Sequence, residues 1–155
     1  MITAKALCAA VLTLGSSFTG NPKNACKWAP LVIKEADKHN IDPYIVMALI
    51  QVESNWNPNV VSSCNACGLT QVLDKYSKYT CRQLKNPRVS IKEGLNKLNY
   101  WLNRYGKGDL KVGLCGYNAG HRCKGKKAST KGLKYARRVA IMADLIRDKT
   151  RRNQK

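Results

Sequence analysis

Apolar residues recur at helical spacing in several stretches of the chain, and each stretch predicts an element. Between 27 and 39, Trp28, Leu31, Val32 and Ala36 share one face, while Lys34, Glu35, Asp37 and Lys38 fill the rest of the circumference, the pattern of an amphipathic helix. Asp42 followed by Pro43 is a sharper start signal. The carboxylate can accept a free amide of the first turn, and proline fits the first helical position, where its missing N–H costs nothing. The helix predicted there, 43–53, is apolar almost all round, with Tyr44, Ile45, Val46, Met47, Ala48, Leu49, Ile50 and Val52, so it should pass through a core. Residues 54–67 are rich in Asn, Ser and Cys with Pro58 and read as a loop. A further amphipathic helix is expected over 91–105 on a stripe of Leu95, Leu98, Trp101 and Leu102, ended by Gly106 and Gly108. Asp109 is placed to cap a short helix towards Tyr117, and 120–132 is a cationic, glycine-containing loop. The last helix is expected over 134–147, with Tyr135, Val139, Met142, Ala143 and Ile146 facing inwards. No alternating strand pattern and no internal repeat occur, so the pattern predicts a mostly helical, all-α domain.

At 155 residues the chain suits one core, and 44% hydrophobic residues suffice to fill it, which excludes a multidomain enzyme and a disordered chain. Charge is less ordinary. The 28 Lys and Arg against nine acids give +19, which calls for a polyanionic partner or an anionic surface. Nucleic acid, phospholipid and the bacterial envelope all qualify. From His121 to Lys155 there are 13 Lys or Arg against two Asp, and 149–155 reads as a solvated basic tail after a domain covering 26–148.

Residues 1–20 carry Lys5, an apolar stretch from Ala6 to Leu14 and then small polar residues, the layout of a secretory leader that is cut off, although the cleavage site is weakly marked and a retained anchor remains an alternative. No later run approaches the roughly 20 apolar residues that a membrane span needs. An exported, disulfide-permissive location follows: periplasm, extracellular space or virion. Cys8 would leave with the leader. Cys26, Cys64, Cys67, Cys81, Cys115 and Cys123 remain, an even number that argues for disulfides in any of 15 pairings. Zinc is the competing reading, since Cys64 and Cys67 have ligand spacing and His121 and Cys123 could complete a set, but no second paired motif supports it, and neither metal nor cofactor is expected.

Most of the nine acids have plain explanations. Asp42 and Asp109 cap helices, Glu35 and Asp37 neighbour lysines, Asp144 and Asp148 lie among cations, and Glu93 follows Lys92 on the polar side of its helix. Glu53 differs, because Val46, Leu49 and Ile50 stand seven, four and three residues before it on the same face of an apolar helix. A carboxyl at the end of a buried stripe favours its neutral form and can serve as a general acid near neutral pH. A glutamate that simply reaches water at a helix end fits the same periodicity. The downstream Trp56, Ser62, Gly68 and Gln71 weigh towards a site, since aromatic and amide groups suit a sugar.

Four blocks in order carry a family resemblance: Glu53-Ser54-Asn55-Trp56-Asn57-Pro58, Gly68-Leu69-Thr70-Gln71-Val72, Gly116-Tyr117-Asn118-Ala119-Gly120 and Tyr135-Ala136-Arg137-Arg138-Val139. Over about 26–146 the chain resembles the soluble lytic transglycosylase family, particularly its small phage-type members. The resemblance implies a lysozyme-like single domain with a saccharide groove, acting on peptidoglycan glycan strands at the β-1,4 bond between N-acetylmuramic acid and N-acetylglucosamine. It implies Glu53 as the acid/base that protonates the glycosidic oxygen and then takes the muramic C6 hydroxyl proton, leaving a 1,6-anhydro end. Tyr135 would orient Glu53, while Ser62, Gln71, Tyr117 and Asn118 would bind substrate. A single carboxyl then suffices where ordinary glycosidases use two; the family is thought to rely on the substrate's own N-acetyl oxygen. Thr70 stands where the family commonly has Met, and the segment around Cys81 is additional.

Alternatives stay open at this point. Asp74 lies near enough in sequence to permit a hydrolytic, true lysozyme outcome. Tyr117 and Tyr135 could be ordinary core tyrosines and Trp56 a surface anchor. A secreted cationic protein that binds nucleic acid or envelope without catalysis fits the charge, though no nucleic-acid motif occurs. The expected partners are glycan strands and anionic envelope polymers, with no specific nucleic acid and a monomeric state.

Overall fold

The structure is a computed structural model that describes residues 1–155. Seven α-helices carry it: α1 (Ala4–Thr13), α2 (Pro22–Lys38), α3 (Pro43–Ser54), α4 (Cys81–Leu84), α5 (Pro87–Asn99), α6 (Leu110–Ala119) and α7 (Thr130–Arg152). A hairpin of two short strands, β1 (Ala66–Cys67) and β2 (Val72–Leu73), interrupts them, paired antiparallel with Ala66 opposite Leu73 and Cys67 opposite Val72. The hairpin is too short for an alternating pattern to register, which is why periodicity does not announce it.

Helix α3 starts as the sequence predicts: Asp42 Oδ1 accepts the Tyr44 amide at 2.9 Å and Pro43 occupies the first turn. Every residue from Ile45 to Gln51 is buried. Removing each large aliphatic side chain from water contributes about 1.5–3 kcal/mol, so this helix anchors the core. It packs on α2 and α7, while α6 lies along α7 and α1 covers α2 and α7. At its end Asn55 and Trp56 both adopt left-handed backbone angles (φ 49° and 60°), a sharp reversal that drops the Trp56 ring into the core with no exposed surface. Trp56 is therefore a core residue and neither a surface anchor nor a sugar platform.

Several boundaries differ from expectation. Helix α2 begins five residues early, because Asn21 accepts the Asn24 amide and Pro22 fits the first turn. Helix α7 continues to Arg152, so residues expected as a loose tail form its last turn. Helix α5 is followed by a π-turn, Tyr100–Tyr105, that ends at Gly106. Helix α1 buries Leu7, Ala10 and Val11, and Cys8 is bonded to Cys26. The six-cysteine framework expected without Cys8 is thus corrected: Cys67 pairs with Cys81, Cys115 with Cys123, and Cys64 is free and exposed. Cys67 and Cys123 belong to different bridges, so the zinc set of Cys64, Cys67, His121 and Cys123 does not converge. No helix is long and apolar enough to cross a membrane.

Gly68 shows how tightly the hairpin is seated. Its φ is +78°, and a Cβ there would lie 2.0 Å from the Leu84 carbonyl oxygen of α4. The Cys67–Cys81 bridge ties the same two elements across 14 residues. Closing a loop of that length removes about 3 kcal/mol of unfolded-state freedom. The double variant Cys67→Ser/Cys81→Ser should lose about that much in urea denaturation against the oxidised parent; equal midpoints would show that the bridge contributes nothing to the fold.

Candidate active site

Glu53 is the penultimate residue of α3 and Tyr135 lies in the second turn of α7, 82 positions later. Helix packing brings them together, and the Tyr135 hydroxyl donates to Glu53 Oε1 at 2.6 Å. Tyr135 is buried, and Glu53 keeps only partial exposure. Burial strips water from the carboxyl and raises its pKa from 4.5 to about 7, against the opposing pull of the Tyr135 hydrogen bond and of the Arg138 charge. Arg138 follows Tyr135 by three residues on α7, so the helix repeat stations a guanidinium beside the pair.

The third member is Tyr117 of α6, whose hydroxyl donates to the Thr70 carbonyl at 2.7 Å. Burial first, then the negative charge of Glu53, pushes the Tyr117 phenol well above its usual range, and the same two causes act on Tyr135. Both phenols stay protonated and can only donate or accept hydrogen bonds. Three helices from distant parts of the chain thus converge on one dry carboxyl.

Ser62 and Gln71 lie on the loop that faces this cluster, where they serve the loop itself. Ser62 Oγ accepts the Ala66 amide at 3.0 Å, and the Gln71 side-chain amide donates to the carbonyls of Val60 (3.0 Å) and Gly68 (2.9 Å). Ser54 of α3 donates to the Leu69 carbonyl at 2.8 Å and so fastens the loop to the helix that carries Glu53. Asn118 is exposed at the end of α6. Asp74, the alternative second acid, accepts from Asn65 Nδ2 at 2.8 Å on the outer turn after β2. A surface depression of about 630 Å³ is lined by Asn21, Asn24, Asn55, Asn57 and Asn59 and excludes Glu53 and Tyr135; the perturbed acid lies in the carboxyl cluster and not there.

Arg138 and Thr70 fall within the motif blocks of the sequence but are given no role in the site by the sequence alone. The first was legible as a cation one turn from Tyr135, whereas Thr70 contributes through a backbone carbonyl that no side-chain pattern reveals. Chemically, a carboxyl half-protonated at neutral pH can release a proton to an adjacent oxygen and later recover one, while the phenol and the guanidinium stabilise the charge between those events.

Residues 30–139 match the Transglycosylase SLT domain family. Two curated relatives, the endo-type membrane-bound lytic murein transglycosylases A of Salmonella paratyphi B and Salmonella paratyphi A, are each 36% identical over 84 residues, covering 46% of this chain. The chain spans 41% of the length of those relatives. Among solved structures, an inactive mutant of the lytic transglycosylase Slt from Pseudomonas aeruginosa superposes with a TM-score of 0.66 at 18% identity, over 76% of this chain and 23% of that one. That likeness shows the expected lysozyme-like helical fold.

The Glu53 carboxyl should titrate near pH 7 when followed by carbon NMR, and Tyr135→Phe should move its midpoint higher, because the carboxylate loses a donor. Stability follows the same shift. The contribution of the neutral carboxyl is fully present below about 4.5 and is lost as pH rises through 7, so the parent should weaken relative to Glu53→Gln by about 3 kcal/mol across that window. A midpoint near 4.5 would show the carboxyl to be solvated.

Proposed function

We propose, because the chain belongs to the transglycosylase SLT family, that it is a peptidoglycan lytic transglycosylase with Glu53 as its acid and base. The carrying observation is the desolvated Glu53 carboxyl, raised to about 7 with the Tyr135 hydroxyl 2.6 Å from Oε1. In the proposed reaction Glu53 gives its proton to the glycosidic oxygen as the bond from muramic C1 breaks. The resulting carboxylate, eased by Tyr135 and Arg138, then removes the C6 hydroxyl proton while O6 bonds to C1. One proton is lent and one recovered, so the enzyme returns to its starting state and a 1,6-anhydromuramic end is formed.

Tyr117 and Asn118 on α6, with Ser62 and Gln71 on the opposing loop, would line the glycan channel. The hydrogen bonds that Tyr117, Ser62 and Gln71 already make favour a rigid wall, which lowers the ordering cost of binding a stiff polysaccharide. Three disulfides fit an oxidising compartment outside the cytoplasm, where murein lies. The cationic surface running from His121 into α7 would hold the enzyme against anionic envelope polymers and weaken with salt.

Incubation with purified peptidoglycan followed by mass spectrometry of the released muropeptides tests the reaction. Anhydro ends are expected from the parent, and Glu53→Gln, which removes the transferable proton with little change in shape, should lower release at least a hundredfold. Reducing ends would make the chain a hydrolase, and undiminished release by the variant would remove Glu53 from the chemistry.

A further inference from the structure

Glu93 is the acid whose place the sequence misjudges most. It was expected on the polar side of α5, yet only 5% of it is exposed. On that helix Ser90, Glu93, Gly94 and Lys97 stand at i, i+3, i+4 and i+7 and so form one stripe. The stripe faces the chain between Thr70 and Tyr79. Thr70 is bolted to its first position: the Ser90 hydroxyl meets the Thr70 amide at 3.1 Å, and Thr70 Oγ1 donates to the Ser90 carbonyl at 2.8 Å. Gly94 leaves the room for this, since a Cβ there would lie 2.5 Å from the Thr70 side chain. At the centre Glu93 Oε1 accepts the Ser77 hydroxyl at 2.8 Å, and Ser77 Oγ in turn accepts the Tyr79 amide at 3.1 Å. Lys97 closes the stripe, 3.7 Å from Glu93 and donating to the Tyr76 carbonyl.

We infer that Glu93 is a positioning residue for glycan binding, the charged centre of a clamp by which α5 sets the wall that carries Thr70 and Gln71. The wall needs such a clamp because its own regular structure amounts to two residues of β2 and one short turn, Asp74–Tyr76. A buried charge is costly unless paired, and here the pairing is with the segment to be held, so displacing that segment would expose the carboxylate to an unpaired state. The consequence reaches the carboxyl cluster through Thr70, whose carbonyl receives the Tyr117 hydroxyl. The Glu93 charge also adds to the causes that keep the Tyr117 phenol protonated, after burial and Glu53. Glu93 acts on substrate through these groups and leaves the proton chemistry to Glu53.

The inference rests on the transglycosylase reading, and steady-state kinetics on soluble glycan strands separate the two. Glu93→Ala should raise KM about tenfold, as expected for misplaced binding groups, with kcat within twofold and the midpoint of the pH profile unchanged. Glu93→Gln, which can still accept from Ser77, should fall between it and the parent. Ser77→Ala should reproduce the KM rise and carries the test alone if the Glu93 variants fail to fold. An unchanged KM in the folded variants, or a loss confined to kcat, overturns the inference while leaving the reaction standing. A parent chain that does not cleave glycan overturns both.

Discussion

A carboxyl group at the end of a helix with almost no polar residues inside it has lost the water that would normally ionise it, and a phenol from a helix 82 positions away is its nearest partner. The rest of the architecture exists around this contact. Helix α3 must be buried all round for its last turn to be dry, α7 must lie against it for Tyr135 to reach Oε1, and α6 must lie along α7 for Tyr117 to face the same space. The opposing influences are finely set. Burial favours the neutral acid, while Tyr135 and Arg138 favour the anion, so the proton is neither fixed nor lost at neutral pH.

The opposite side of the site is built differently. Where the helices meet through apolar surface, the loop between Trp56 and Tyr79 is held by polar ties: Ser54 to Leu69, Gln71 to Val60 and Gly68, Ser77 to Glu93, and the Cys67–Cys81 bridge. Apolar packing is non-directional, and hydrogen bonds fix register. One wall of each kind combines a dry floor for the acid with a rigid edge opposite it.

Helix α3 and its Asp42–Pro43 start were legible because capping and periodicity are local, and Glu53 stood out because its neighbours at three, four and seven residues are apolar. The Asp109 cap of α6 was legible for the same reason. Cys8, Trp56 and Glu93 were misjudged because each is decided by something far away in sequence: a cysteine on another helix, a left-handed reversal that turns a ring inwards, and a serine 16 positions upstream. The family resemblance supplied Tyr135 as a partner for Glu53, which no spacing rule could, since the contact spans most of the chain. Ser62 lies in the loop expected over 54–67 and Gln71 four residues beyond it, but their hydrogen bonds to neighbouring backbone are a tertiary fact that their identities do not disclose.

The most direct measurement is the pH dependence of kcat/KM for glycan cleavage, which reports the ionisation of the free enzyme's acid. With Glu53 holding its proton to about pH 7, the rate should fall above a midpoint close to that value. A rate that declines only around pH 4.5, or stays level through neutrality, would contradict a dry carboxyl at the centre of the mechanism.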